Sequence, residues 1–191
     1  MKKLLTTVLV LLTLTLSSAV MAQQNGPIKG VLSAGISNPT GDANDLWNMG
    51  FHLMGGVGFQ VAPMLQFVPK IEFHLMPLDK MGVTDLSGGT MHVLMFGGDM
   101  MVAPEIHNSS LRPLFIFGLG VGTVSASDLK YQGDTWVQFQ SETKIYYNIG
   151  AGLQFETGPR TSMFVAVKFV SVQTEGTAIT FAPITIGASF F

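Results

Sequence analysis

The chain has no cysteine. That excludes a disulfide framework and any thiolate metal site, and it leaves no acceptor for a lipid anchor behind a leader. Charge is also scarce. Only 12% of residues are Asp, Glu, Lys or Arg, against about 25% in an average soluble domain. Nor does the chain contain, after its first two dozen residues, an apolar run of the ~18 residues a membrane helix requires. Hydrophobic residues nonetheless make up 47%. A membrane-like composition without membrane helices points to strands that cross as a closed barrel, the other structure that satisfies every backbone group in lipid.

The one long apolar run opens the sequence. Met1-Lys2-Lys3 is a basic start, Leu4 to Val20 an apolar core softened by Thr and Ser, and Val20-Met21-Ala22 a signal-peptidase site. Residues 1–22 are therefore expected to be a signal peptide and residues 23–191 a single barrel domain. The alternative is a retained anchor. Removing Lys2 and Lys3, with no acid beside them, takes the formal charge from −2 to −4. That balance is no footprint for nucleic acid.

Beyond the leader the sequence alternates with period two, the mark of strands. In Asn48 to Val61, residues Met49, Phe51, Leu53, Val57, Phe59 and Val61 share one face, and His52, Met54, Gln60, Gly50, Gly56 and Gly58 the other. Leu65 to Leu75 repeats the pattern, with Gln66, Lys70, Glu72 and His74 on its polar side. Eight strands result: 28–37, 48–61, 65–75, 90–103, 112–125, 143–156, 162–173 and 178–191. Each can cross a bilayer as a tilted strand of about 9–11 residues. Short connections near Pro63 and Gly158-Pro159 alternate with longer ones at 38–47, 77–89 and 126–142 and with 174–177, which is shorter than the other three. Bacterial barrels put short turns in the periplasm and long loops outside, so both termini are expected to be periplasmic. The connection Pro104 to Leu111 is long for a periplasmic turn.

A soluble, lipocalin-like barrel has the same strand count with its apolar face inward. The glycines argue otherwise. Gly50, Gly56, Gly58, Gly118, Gly120, Gly122, Gly150 and Gly152 share the polar face, where small residues fit the inner wall of a narrow barrel and would only weaken a wall facing water. Charges inside must pair. Lys70, Arg112, Lys144 and Lys168 are expected to match Glu72, Asp99 and Glu156 there, with Lys29 near the rim. Trp47, Phe51, Tyr147, Phe155, Phe181 and Phe190 are expected at the interfacial girdles.

The opening strand Gly30-Val31-Leu32-Ser33-Ala34-Gly35-Ile36-Ser37-Asn38-Pro39-Thr40-Gly41-Asp42 and the closing segment Ala182 to Phe191, with its terminal aromatic, carry a resemblance. Over residues 23–191 the chain resembles the small outer-membrane β-barrel domain family, the group of OmpX, OmpW and the OmpA barrel. The resemblance implies an all-β, eight-stranded antiparallel up-and-down transmembrane barrel. It further implies a monomer in the cell outer membrane, with lipid and the barrel-assembly machinery as its partners. It does not imply one activity, because the fold hosts adhesins, enzymes and pores.

Candidate chemistry is sparse. His52 and His74 share the polar face with Glu72, which reads as an interior network or, less simply, a metal site. His107-Asn108-Ser109 has the His-x-Ser spacing of lipid deacylases but falls in a short-side connection, and Asp85 and Ser87 lack a neighbouring His. Gly118-x-Gly120-x-Gly122 lies within a strand, not before a helix, so it is no phosphate cradle. Met91, Met95, Met100 and Met101 either fill a core or line a path for a soft metal. In the loop 126–142, Asp128, Lys130, Tyr131, Asp134, Trp136 and Phe139 either bind a partner or extend strands into the interface. No catalytic, cofactor-binding or metal-ligating residue is assigned. The expected role is a non-enzymatic structural or surface-interaction barrel, with a narrow pore or carrier and a soluble periplasmic binding protein as alternatives.

Overall fold

The computed structural model describes residues 28–79, 86–87, 89–107, 109–131, 134–137, 140–158, 161–174 and 178–190. The expected leader at 1–22 lies outside them, as do Asp85, Asn108, Phe139 and Phe191. Eleven strands occur in chain order: β1 (Lys29–Thr40), β2 (Gly50–Ala62), β3 (Leu65–Met76), β4 (Leu86–Ser87), β5 (Met91–Val102), β6 (Leu111–Ala126), β7 (Leu129–Tyr131), β8 (Asp134–Val137), β9 (Glu142–Glu156), β10 (Ser162–Val172) and β11 (Ile179–Phe190). Eight of them close a barrel in the order β1-β11-β10-β9-β6-β5-β3-β2. Every neighbouring pair is antiparallel. The first and last strands zip together from Gly30↔Phe190 to Thr40↔Thr180, so no edge is left open to lipid.

The alternation in the sequence sets the faces. Leu32, Leu53, Ile71, Leu119, Ile145 and Ile186 point outward, each more than half exposed. Their in-strand neighbours point into the lumen and are buried or half-buried. The apolar face is therefore the outside and the charged face the inside, the reverse of what a lipocalin-like binding protein requires. Large inner side chains lie over inner glycines. A Cβ at Gly120 would strike the Tyr146 ring, one at Gly150 the Lys168 stem, and one at Gly118 both Asn148 and Asp99.

Below, the end carrying Lys29 and Phe190 is the terminal end and the other the loop end. At the terminal end β2 and β3 are joined by Pro63-Met64, where the Ala103 amide donates to the Met64 carbonyl at 2.9 Å. At the loop end β1 runs three residues further than its alternation predicts and passes into a 3-10 turn at Gly41–Asp45. Within the expected loop 126–142, the described β7 and β8 pair with each other, and β7 with β4, as a separate three-stranded sheet. Trp136 thus belongs to β8 of this small sheet, not to a wall strand. The joint is made at Ser127, which exchanges backbone hydrogen bonds with Gly89 and Thr90. Gly89 turns the chain there with a φ of 74°, which favours glycine.

Candidate functional site

The lumen is filled in layers. Nearest the terminal end, Val31, Met54, Val68, Met101, Leu114, Ile116, Phe164 and Ala166 form one apolar cluster. Nearest the loop end, Met76, Met91, Val93, Met95, Tyr146, Val170, Val172 and Phe181 form another. Between them lies a polar layer. Lys70 Nζ bridges Glu72 Oε2 at 2.5 Å and Asp99 Oδ2 at 2.9 Å. Lys168 Nζ donates to both Glu72 oxygens at 2.7 and 2.9 Å. Asn148 donates to Asp99 Oδ1 at 3.0 Å. Two lysines thus face two carboxylates, a closed charge balance.

From Glu72 the layer continues through two imidazoles and two hydroxyls. His74 Nε2 faces Glu72 Oε1 at 3.3 Å. Ser37 Oγ is 2.7 Å from His74 Nδ1 and 3.1 Å from His52 Nδ1, and His52 Nε2 is 3.0 Å from Thr185 Oγ1. The imidazoles stack at 5.1 Å, and Phe181 meets His74 edge-on at 4.7 Å. Seven of the eight wall strands contribute a side chain to this layer. The eighth, β6, contributes Gly118, which leaves the room that Asn148 and Asp99 occupy. Over the polar layer, Lys70 Nζ sits 5.9 Å from the Tyr146 ring.

Ser37, His74 and Glu72 follow one another as hydroxyl, imidazole and carboxylate, the order of a hydrolase triad. All three are fully buried, and Ser37 is shared with a second imidazole. A reacting atom needs a place beside nucleophile and base, and the packing around Ser37 provides none. The arrangement binds strands together. The same layer, with an apolar cluster on each side, fills the described lumen with buried side chains.

The sequence placed seven charges in one interior network, and the structure divides them. Lys70, Glu72, Asp99 and Lys168 are buried at the centre. Arg112 and Glu156 share the inward parity but stand at the terminal rim, where Arg112 Nη2 reaches Glu156 at 2.6 Å and Glu105 at 3.2 Å. Lys144 stands towards the other rim, half-buried. Height along the strand, not parity, separates them. At the rim, Lys29, Gln60, Gln66, Arg112, Gln154 and Glu156 line a recess of about 180 Å³. Sequence reasoning missed Ser37, Asn148 and Thr185, whose inward parity was readable but whose common height with His74 and Asp99 was not.

The histidine pair belongs to the interior network, and among the described residues no group of three or more His, Asp or Glu is placed to hold a metal. Of the expected girdle, Phe51, Tyr147, Phe155 and Phe190 are on the outer face. Phe181 is not. Its inward parity with Pro183 and Thr185 puts it in the loop-end cluster. Trp47 also turns inward, packing on that cluster and donating its indole N–H to the Gly89 carbonyl at 3.1 Å. The strand-four methionines divide too. Met91 and Met95 are in the loop-end cluster, Met101 in the terminal-end cluster, and Met100 faces the wall's other side. In the 107–109 turn, the Ser109 hydroxyl is taken up by the Leu111 backbone at 3.1 Å and His107 is exposed.

Solved structures share this architecture. Neisserial surface protein A superposes with a TM-score of 0.63 at 11% identity, covering 85% of this chain and 96% of that one. The chain has an outer-membrane β-barrel fold. A major outer membrane protein from Thermus thermophilus matches at 0.54 and 11% identity, over 86% of this barrel's chain and 99% of its own. The N-terminal β-barrel domain of Pseudomonas aeruginosa OprF matches at 0.52 and 12%, over 85% and 97%. No family model matches the sequence, and no curated protein matches it significantly. At these identities the likeness concerns the fold alone.

Proposed function

We propose that the protein is a non-enzymatic, monomeric barrel of the cell outer membrane with a structural or surface-interaction role. Residues 1–22 direct export and are removed, the barrel-assembly machinery inserts residues 23–191, and both termini remain periplasmic. The observation that carries this reading is the filled lumen. An eight-stranded barrel is just wide enough for its side chains to fill, and here two apolar clusters enclose a paired charge layer. Such a barrel offers lipid its outer wall and offers a partner its loop end, where β4, β7 and β8 form a sheet of their own. The narrow-pore alternative needs a continuous polar path, and the apolar layers oppose one.

The test is fractionation of expressing cells, gel mobility with and without boiling, and conductance of the purified barrel in planar bilayers. The expected result is outer-membrane recovery, a heat-dependent mobility shift and no unitary conductance. Stable channels would favour the pore, and a soluble periplasmic protein would overturn the reading. An unchanged lipid profile in the expressing strain is the result expected of a non-enzymatic barrel, and a new acylation pattern would contradict it.

A further inference from the structure

At the terminal end, side chains from β1, β2, β3, β6, β9 and β10 enclose the recess of about 180 Å³ in the barrel mouth. Ala103, which also lines it, packs against the terminal-end apolar cluster, so that cluster is its floor. The charges around the recess are divided between two sides. In the ring of eight wall strands β6 is four places from β1, so Arg112 and Lys29 face each other across the mouth. On the Arg112 side one guanidinium meets two carboxylates, Glu105 and Glu156, which leaves one formal negative charge. On the opposite side Lys29 carries one positive charge and has no ion pair among the described residues.

Polar side chains on an open rim are ordinary, since water satisfies them. Gln66 supplies the second observation. Its amide lies over Gly58, where any Cβ would overlap it, and Gly58 is the direct cross-strand partner of Lys29. The glycine thus brings the Gln66 amide beside the lysine. The amide makes no hydrogen bond among the described residues. Its neighbours differ: Gln60 donates to the Ala62 and Pro63 carbonyls, and Gln154 donates to Ser162 Oγ. An ammonium and an amide N–H, both free, are a donor pair for one carboxylate. Across the mouth, Arg112 and Glu156 also line a wider groove of about 560 Å³ with Glu105, His107 and Ser109. The recess has room for about six waters at ~30 Å³ each. It takes one end of a ligand, and the groove takes the rest.

We propose that the terminal-end mouth binds a short peptide with both ends free. Its carboxylate enters the recess and accepts from Lys29 Nζ and the Gln66 amide. Its chain passes Arg112, and its terminal ammonium lies in the groove against Glu156 and Glu105. The two ends of such a ligand match the two sides of the mouth in sign, which a simple anion does not. The inference concerns the end of the barrel opposite to the surface role proposed above and does not depend on that role.

The experiment is titration of the folded barrel with trialanine, followed by amide resonances in maltoside micelles, whose uncharged head groups do not compete. Saturable shifts are expected at Lys29 and at the Gln66 side-chain amide. Lys29→Gln breaks no ion pair among the described residues, so a normal heat-dependent mobility shift is expected of it, with binding weakened about tenfold, as loss of a charged hydrogen bond does. Lys144→Gln removes the same charge towards the other rim and should leave binding unchanged. The C-terminal amide of trialanine should bind about tenfold more weakly than trialanine to the parent, and no more weakly to Lys29→Gln than to the parent. Acetyl-trialanine should lose affinity for the parent but show no further loss with Glu156→Gln. In the unsubstituted protein, shifts that do not saturate would overturn the proposal. So would equal binding of trialanine and its amide. Acetate or glycerophosphoethanolamine binding as tightly as trialanine would also overturn it, in favour of a simple anion or a lipid headgroup.

Discussion

At the terminal rim, Arg112 spans Glu105 and Glu156 with its guanidinium in contact with water, and Glu105 itself is 64% exposed. One apolar layer deeper, Lys70 and Lys168 hold Glu72 with 3% or less of any of the three side chains exposed. The bonds are of similar length and the residue types are alike. Their surroundings make them different objects. At the rim, water solvates whichever partner is released, and such pairs are worth about 0–1 kcal/mol. In the lumen nothing replaces a lost partner, and breaking a buried pair costs about 3–5 kcal/mol because the remaining charge is left uncompensated. The inner layer therefore enforces the register of the strands that carry it, whereas the rim pair is a local convenience.

The largest effect is expected from Glu72→Leu, which leaves buried Lys168 without its carboxylate and Lys70 with Asp99 alone. Urea titration of the folded barrel, followed by gel mobility, should show a loss of about 3–5 kcal/mol. Replacing the whole set, with Lys70→Met, Glu72→Leu, Asp99→Leu and Lys168→Met together, should restore most of that loss, since apolar replacement of a buried network is often neutral or stabilising by about 1–4 kcal/mol. If the quadruple variant is worse than the single one, the inner layer does more than pair charges.

Next in size is a charge on the other face. Leu119 lies near the middle of β6 and is 64% exposed. Leu119→Arg should cost about 2–4 kcal/mol in a bilayer, as Arg does on the lipid face near the midplane. It should cost little if that face meets water.

Gly118→Ala comes third. Its Cβ would overlap the Asn148 amide and the Asp99 carboxylate, and overpacking of this kind costs about 1–3 kcal/mol. Gly122→Ala is the control, since nothing lies closer to its Cβ than 3.5 Å, and its folding midpoint should match that of the parent more nearly.

The smallest effect is expected at the rim. Arg112→Ala should change stability by about 0–1 kcal/mol, and the difference should shrink as salt is added because exposed charges are screened. A salt-insensitive loss as large as that of Glu72→Leu would erase the distinction between the two clusters.

Strand number, strand positions and the facing of the wall were legible in the sequence because period-two alternation is a property of single strands. Phe51, Leu53 and Val57 against His52 and Met54 say which side is which without any partner strand. The polar layer was not legible, because it depends on height in the barrel, and height follows from the stagger between strands. Lys70, Asp99, Asn148 and Lys168 come from four strands and meet only once Lys70↔Gly97, Asp99↔Gly118, Gly118↔Asn148 and Lys168↔Gly150 are paired. The same ignorance put Arg112 and Glu156 in the interior, whereas Phe181 was misplaced against its own parity, which it shares with inward Pro183 and Thr185. The β7–β8 hairpin was missed for another reason. Its strands are three and four residues long, too short for alternation to register.

The measurement that bears most directly on the account uses the absence of cysteine, which makes any introduced thiol unique. Single cysteines at Leu53, Leu119 and Ile186 on the wall, and at Gln60 by the terminal rim, are labelled with a fluorophore in liposome-inserted barrel. Quenchers confined to the acyl region and to water are then compared. The account predicts that the three wall positions are quenched from the acyl region and shielded from the aqueous quencher, with Gln60 reversed. Aqueous quenching at Leu53, Leu119 and Ile186 would contradict it, because the apolar wall would then not face lipid.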